Sequence, residues 1–415
     1  MNRGFYTILA AQFFSALADN ALLFAAISLL SSLNAADWQT YVLQQFFVFS
    51  YIILAPYVGA FADALPKGRV MFISNTMKIA GCAAMLVGLH PLFAYGIVGI
   101  GAATYSPAKY GILTEVLPPH RLVAANGWME GLTVASIILG AIIGGVMVGH
   151  QFSDWIYGAV PLLRTIPPLD TAPELAIVVI LGLYGLAALF NLRIPKLPVD
   201  HKMPRKDPIF LVRDFAHSFM QLWRDPLGQV SLAVTTLFWG AGATLRLIVL
   251  QWSKVALGFS QQQAALLTIV VGIGIAFGSV AAARYVKLER AVKVLPVGIA
   301  MGLIVMSMIF VTDWRIAIVL LIVIGALGGY FVVPMNALLQ HRGHKLMGAG
   351  HSIAVQNFNE NLCIFGMLGL SAGMSAAGLS IYTIIIVFGL IVATSMYALN
   401  RRHGHDQDNA PVATD

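Results

Sequence analysis

Ile194-Pro195-Lys196-Leu197-Pro198-Val199-Asp200-His201-Lys202-Met203-Pro204-Arg205-Lys206-Asp207-Pro208 opens the longest polar interval of the chain, residues 194–226. On both sides of it the apolar residues come in runs of roughly 18 to 25. That length crosses a ~30 Å hydrocarbon core at 1.5 Å per residue. Six runs precede the interval, at 5–32, 39–62, 69–89, 91–114, 123–149 and 173–193. Six follow, at 227–256, 262–286, 292–312, 315–340, 348–374 and 378–400. A lone spanning segment must satisfy its own backbone hydrogen bonds, and the alternation of a membrane strand is absent, so all twelve are expected to be helices. Composition agrees. Of 415 residues 59% are hydrophobic and only 10% charged, against roughly a quarter charged in soluble domains. The expected fold is an all-α integral membrane protein. Residues 1–193 form one six-helix bundle, 194–226 a linker, 227–402 a second bundle and 403–415 a disordered tail.

The net charge of +7 does not point to nucleic acid, because the basic residues sit in short loops between apolar runs and build no groove. With the N-terminus in the cytoplasm, 19 of the 25 Lys and Arg fall in cytoplasmic loops and tails, and three lie inside the runs. The opposite side receives only Arg164, Lys254 and Arg315. This bias places both termini in the cytoplasm. The first run, Phe5 to Leu33, is too long for a signal-peptide core and contains Asp19 and Asn20, so it reads as a retained helix. Within the linker, Asp207-Pro208 has the form of a cap followed by proline at the first helical position. Ile209, Val212, Phe215, Ala216, Phe219, Met220 and Trp223 then recur at helical spacing. An amphipathic helix is expected there, lying on the cytoplasmic leaflet or covering helix ends.

The ionisable residues inside the runs carry the functional information. They are Asp19, Lys78, Lys109, Glu130, Arg246 and Glu360. Each costs at least ~2.5 kcal/mol near the bilayer centre, so each needs a partner or a wet cavity. Three acids balance three bases. Asp19 adjoins Asn20, and Glu360 sits in Gln356-Asn357-Phe358-Asn359-Glu360-Asn361, both near the middle of their helices. A cation and an anion lining a central cavity suit a zwitterionic or anionic solute, with the Arg246 guanidinium forking onto phosphate or carboxylate. The same groups also suit a gate, or a static brace; Lys109 and Glu130, nearer the cytoplasmic ends, favour those roles. The two cysteines, Cys82 and Cys363, lie far apart inside runs and read as small apolar fillers. No metal-ligand spacing and no cofactor motif is present.

Glycine and proline add organisation. Gly140-x-x-x-Gly144-Gly145-x-x-x-Gly149 is a small-residue face for close helix packing. Gly101 and Pro107 in the fourth run echo Gly328 and Pro334 in the tenth, as a six-plus-six duplication requires. The loop Gly59-Ala60-Phe61-Ala62-Asp63-Ala64-Leu65-Pro66-Lys67-Gly68-Arg69 turns tightly with one acid and two bases. It resembles the major facilitator signature between the second and third helices. The Asp-to-Gly interval is longer here, and no base directly follows the aspartate. Asp63, Lys67 and Arg69 are expected to brace a cytoplasmic gate.

Four stretches carry a narrower resemblance. They are Gln12-Phe13-Phe14-Ser15-Ala16-Leu17-Ala18-Asp19-Asn20, Tyr105-Ser106-Pro107-Ala108-Lys109-Tyr110-Gly111, Phe238-Trp239-Gly240-Ala241-Gly242 with Arg246, and Val332-Val333-Pro334-Met335-Asn336-Ala337-Leu338-Leu339-Gln340. Together they resemble the bacterial lysophospholipid transporter family, a branch of the major facilitators, over nearly the whole chain. Only residues 150–172 and the tail fall outside. The resemblance implies a flippase of the inner membrane that moves lysophosphatidylethanolamine and related lysolipids from the outer to the inner leaflet. An acyltransferase working with an acyl carrier protein synthetase is then the expected functional partner. It also implies importance for Asp19, Arg246 and Glu360; Asn20, Lys78, Tyr105, Lys109, Glu130 and Asn357 complete the candidate binding or gating set on the reading of the residues themselves. Composition and spacing alone stop at a transporter of an amphipathic or charged solute.

A proton-coupled exporter of drugs or small amphipaths is the alternative on the same fold, although the proline that accompanies the antiporter signature in the fifth helix is missing. An enzyme is not expected. His150 and Asp154 are four apart where the acyltransferase motif needs five, His351 and Glu360 lie on opposite helix faces, and no phosphate-cradling Gly-Lys-Ser/Thr loop occurs.

Overall fold

The computed structural model describes residues 3–35, 38–165, 169, 171–195 and 207–403. Most of the linker ahead of Asp207, and the tail beyond His403, lie outside them. Among the described residues the regular structure is helical throughout. The first half contains α1 (Arg3–Ser32), α2 (Trp38–Ala64), α3 (Lys67–Leu86), α4 (Pro91–Val116), α5 (Leu122–Met147), α6 (His150–Ala159) and α7 (Ala172–Leu192). After these come α8 (Pro208–Arg224), α9 (Pro226–Leu257), α10 (Gln261–Tyr285), α11 (Leu295–Met306), α12 (Trp314–Met347), α13 (Ala349–Ala376) and α14 (Ile381–His403).

Nine of the described helical stretches are long and apolar enough to cross a membrane. The long helices outside that group are α3, α4 and α13. These carry Lys78, Lys109 and Glu360, together with polar neighbours such as Asn75, Tyr105 and Gln356. Polarity there is the chemistry of the protein showing through its hydropathy.

Local signals set the helix ends. Asp225 accepts the Gly228 N–H at 2.7 Å ahead of Pro226, and Gly258 closes α9 at φ 66°, a left-handed cap that glycine adopts without strain. The Asp207 carboxylate accepts the Ile209 N–H at 3.1 Å at the start of α8. In α8 the residues Leu211, Ser218 and Leu222 are buried while Ile209, Val212 and Met220 stay exposed. The helix therefore has a packed edge and, separately, an apolar edge.

Three departures from the sequence reading have physical causes. Residues 150–159, expected as loop, form α6; ten residues are too few to register as a span, and the Tyr157 hydroxyl ties the helix back by donating to the Leu169 carbonyl at 2.9 Å. The tenth run, expected to end at 340, continues to Met347 because its polar end finds partners: Arg342 grips Asp225 through two guanidinium nitrogens. The ninth run is not one α-helix. Short 3-10 turns at Leu288–Val294 and Ser307–Phe310 flank α11, which begins on Pro296 in its first turn.

The chain divides into two compact units. The first holds residues 1–116, 135–216 and 348–354, and the second 117–134, 217–347 and 355–415. Thus α5, α8 and α13 each contribute to both. In the first unit α1 packs on α7, and α3 packs on α4 and α7. Its core includes Ala18, Ala21, Leu22, Ala25, Tyr95, Ile177 and Tyr184. Gly140 and Gly144 do form a seam, against Leu17, Asn20 and Ala21 of α1, whereas Gly145 faces open space. In the second unit α10 packs on α12 so closely that a Cβ on Gly278 would overlap the Ala326 carbonyl oxygen, and one on Gly329 that of Ile275.

That seam yields a test. Gly278→Ala forces backbone apart and is expected to cost about 1–3 kcal/mol, as overpacking does. Gly145→Ala meets nothing and should stay within about 0.5 kcal/mol. Thermal unfolding of both variants in detergent distinguishes them.

Candidate functional site

Among the described residues three clusters of polar side chains stand out, each within one unit. The first is built from residues four or three apart on their helices, and so on one face of each: Ser15 and Asp19 on α1, Asn75 and Lys78 on α3. Lys78 Nζ lies 2.8 Å from Asp19 Oδ2 and donates to Ser15 Oγ at 3.1 Å. Ser15 in turn donates to Asn75 Oδ1 at 2.8 Å, and the Tyr184 hydroxyl of α7 donates to Asp19 Oδ1 at 2.7 Å. The rings of Tyr105 and Tyr184 lie 5.0 and 5.5 Å from the ammonium, within cation–π range. Side-chain exposure is 1% for Lys78 and 22% for Asp19. The cation is sealed in and the anion is not. Asn20, next along α1, donates its amide back to the Ala16 carbonyl at 2.8 Å.

The second cluster lies in the other unit. Asn126 and Glu130 stand four apart on α5, as do Asn336 and Gln340 on α12. Asn126 and Gln340 exchange two amide hydrogen bonds of 2.9 and 2.8 Å. Asn336 Nδ2 donates to Glu130 Oε1 at 3.2 Å, while its Oδ1 accepts from Gln356 Nε2 at 2.9 Å. Gln356 Nε2 also donates to Glu360 Oε1 at 2.7 Å. Two carboxylates expected from the sequence are thereby linked through two buried amides. Asn357 is buried on the same stretch of α13. Arg246, on α9 of this unit, is exposed and belongs to neither cluster. Lys109 of the first unit is buried, its ammonium 4.3 Å from the Tyr110 ring.

The third cluster sits at helix ends in the first unit. Asp63 Oδ1 accepts from Lys67 Nζ at 2.6 Å and from the Gly350 N–H at 2.7 Å. Its Oδ2 accepts from the His351 N–H at 3.0 Å. An aspartate at the end of α2 therefore caps the first turn of α13, where N–H groups lack partners within their own helix and the dipole favours an anion. Lys67 also faces Glu115 at 3.4 Å. The His351 ring places Nδ1 2.7 Å from Asp63 and Nε2 3.1 Å from Asp214 of α8. Holding both contacts at once takes a proton on each ring nitrogen. Arg69, expected in this brace, is exposed instead.

Residues 8–365 match the family model of the Major Facilitator Superfamily. The lysophospholipid transporters LplT of Yersinia enterocolitica and Serratia proteamaculans are 44% and 43% identical over 371 residues, which is 89% of this chain and 87% and 88% of theirs. The chain belongs to the LplT family of the Major Facilitator Superfamily. It is accordingly a transport protein rather than an enzyme, multi-pass in the inner membrane. Two solved structures share the fold. The Escherichia coli fucose:proton symporter FucP has a TM-score of 0.70 at 17% identity, covering 95% of this chain and 97% of its own. The human organic anion transporter MFSD10 reaches 0.71 at 15% identity, with 95% and 100% covered.

In this LplT-family chain several polar residues escaped the sequence reading. Asn75, Asn126, Asp214 and Tyr184 carry no flag of their own in the sequence, and His351 stands there only beside Glu360 on the same helix. Two signals were available. Asn126 with Glu130, and Asn336 with Gln340, are matched four-residue pairs on separate helices. Gly348 and Gly350 bracket the start of α13 ahead of His351. Tyr184 had none, since a tyrosine in an apolar run reads as core.

The helix-end cluster predicts a sharp contrast. Asp63→Ala takes the nearer anion from Lys67, which keeps Glu115 and the Ala62 carbonyl, and removes the acceptor of two N–H groups of α13, so a loss of about 1–3 kcal/mol is expected. Arg69→Ala should change stability by no more than about 0.5 kcal/mol. Melting temperatures in detergent measure both.

Proposed function

We propose that this protein moves lysophospholipids, lysophosphatidylethanolamine foremost, from the outer to the inner leaflet of the bacterial inner membrane. The observation that carries the reading is the 44% identity, over 89% of the chain, to proteins named lysophospholipid transporters. A lysolipid has a charged head and one acyl chain. Its carrier needs polar groups beside an apolar path, and buried charges next to long apolar helices supply both kinds of surface.

In this reading α3, α4 and α13 cross the membrane with the nine more apolar stretches, giving twelve spans in two bundles, 1–193 and 227–402, that rock in alternating access. The skew of Lys and Arg among the loops supports cytoplasmic termini. Arg246 receives the lipid phosphate, because a guanidinium forks onto phosphate oxygens. Asp19 and Glu360 serve the ammonium, with Asn20, Tyr105 and Asn357 beside them. Lys78, Lys109 and Glu130 act in binding or gating, and Asp63 and Lys67 in the cytoplasmic gate, with Arg69 at its surface. The delivered lysolipid is consumed by an acyltransferase working with an acyl carrier protein synthetase, which restores the diacyl lipid.

Leaflet transfer of labelled lysophosphatidylethanolamine in cells tests this. Arg246→Ala is expected to lower the rate at least about tenfold, the worth of one charge-assisted hydrogen bond. Wild-type rates at equal expression would remove Arg246 from the site. A deletion strain should accumulate lysolipid without gaining drug sensitivity; the reverse pattern would favour a drug exporter.

A further inference from the structure

Asp19 and Lys78 form a salt bridge whose two ends have different surroundings. Lys78 has committed its ammonium to Asp19 Oδ2 and Ser15 Oγ, and the faces of Tyr105 and Tyr184 close around it. Ser15, Asn75, Tyr105 and Tyr184 are all buried. Asp19 is the member of the cluster that open space reaches, with 22% of its side chain exposed against 1% for Lys78. A solute arriving there meets a carboxylate, with the cation behind it.

The carboxylate is also held at both oxygens. Oδ2 takes Lys78 at 2.8 Å and Oδ1 takes the Tyr184 hydroxyl at 2.7 Å. An ion pair alone would let the carboxylate swing about its bond to Cβ. A second donor, from another helix, fixes the plane. An ionised carboxylate offers about four lone-pair sites, so each oxygen keeps one free for a ligand after its protein donor is counted.

We propose that Lys78 and Tyr184 are positioning residues that hold the Asp19 carboxylate as a preformed acceptor for the N–H donors of a primary ammonium head group. This rests on the lysophospholipid reading above and deepens it. Neither residue touches the lipid. Lys78 anchors one carboxylate oxygen of Asp19, and Tyr184 anchors the other and so aims the plane. A primary ammonium donates N–H bonds to the free lone pairs as charge-assisted contacts, the strong class. A trimethylated ammonium has no N–H to give, and a glycerol head group gives only neutral hydroxyls. Preorganisation of this kind raises affinity by removing the ordering cost at the moment of binding. The effect therefore falls on the apparent KM of ammonium-bearing lysolipids.

The test uses the full-length protein in proteoliposomes, with labelled lysophosphatidylethanolamine and lysophosphatidylglycerol transported in parallel. Tyr184→Phe removes one hydroxyl and keeps the ring. It is expected to raise the KM for lysophosphatidylethanolamine relative to lysophosphatidylglycerol by about five- to tenfold, with kcat for the former within about twofold, the loss of one hydrogen bond. A KM ratio equal to that of wild type, whether both lipids slow equally or neither does, would overturn the clamp. Should Tyr184→Phe reach the membrane poorly, the charge exchange Asp19→Lys with Lys78→Asp carries the test. It keeps the pair neutral but turns its anion inward, so the lipid ratio should shift toward lysophosphatidylglycerol. An unshifted ratio there would mean that the pair only braces the helices. The reading beneath fails separately, if wild-type protein moves neither lysolipid.

Discussion

An ammonium group with no access to water has to be answered inside the protein, and in this chain Lys78 sets that demand. Its charge fixes the places of Asp19, Ser15 and the rings of Tyr105 and Tyr184, which come from α1, α4 and α7 around α3. In a medium of low polarity an unpaired lysine is costly enough to be excluded. The arrangement of the four helices keeps that charge paired, and the apolar core around Ala18, Leu22, Tyr95 and Ile177 fills in around it. Hydrophobicity places these helices in the membrane. It does not say which faces meet, because lipid is as apolar as leucine.

The same logic separates what the sequence disclosed from what it hid. Length and hydropathy disclose helices, because the bilayer thickness is a ruler, and the apolar runs needed only that ruler. Intramembrane charges stand out against so few polar neighbours, so Asp19, Lys78, Glu130 and Glu360 were visible as residues that must have partners. Their partners were not. Whether Asp19 meets Lys78 or Arg246 depends on how helices are arranged in three dimensions. The answer lies in a tyrosine, Tyr184, that looks like any other core aromatic. His351 shows the converse difficulty. Compared with Glu360 on its own helix it looked idle, and only the approach of α2 and α8 brings Asp63 and Asp214 to its ring.

Helix ends mark the other boundary of legibility. A run of apolar residues announces where a helix leaves the hydrocarbon, not where it stops. α12 continues through Gln340-His341-Arg342 because Asn126 and Asp225 answer those side chains, and a reading by hydropathy stops at the first polar cluster. α6 fails the ruler in the opposite sense, being too short to be measured by it.

Two kinds of contact hold α12 within its unit, and they do different work. Against α10 it presents glycines, so backbones approach closely and dispersion accumulates. Such a seam resists separation, but one helical turn of sliding would still bring small residues together, since Gly325 and Gly329 repeat every four residues along it. Against α5 it presents Asn336 and Gln340 in step with Glu130 and Asn126. Sliding there by one turn would pair Asn126 with Asn336 and leave Gln340 and Glu130 each facing an apolar side chain. A buried polar group left without a partner costs roughly 2–7 kcal/mol on transfer from water to an apolar medium, far more than a shifted dispersion contact. The polar ladder therefore sets the register that the glycine seam alone leaves open. It does so with side chains that include Glu130, a charge the protein would have to accommodate in any case.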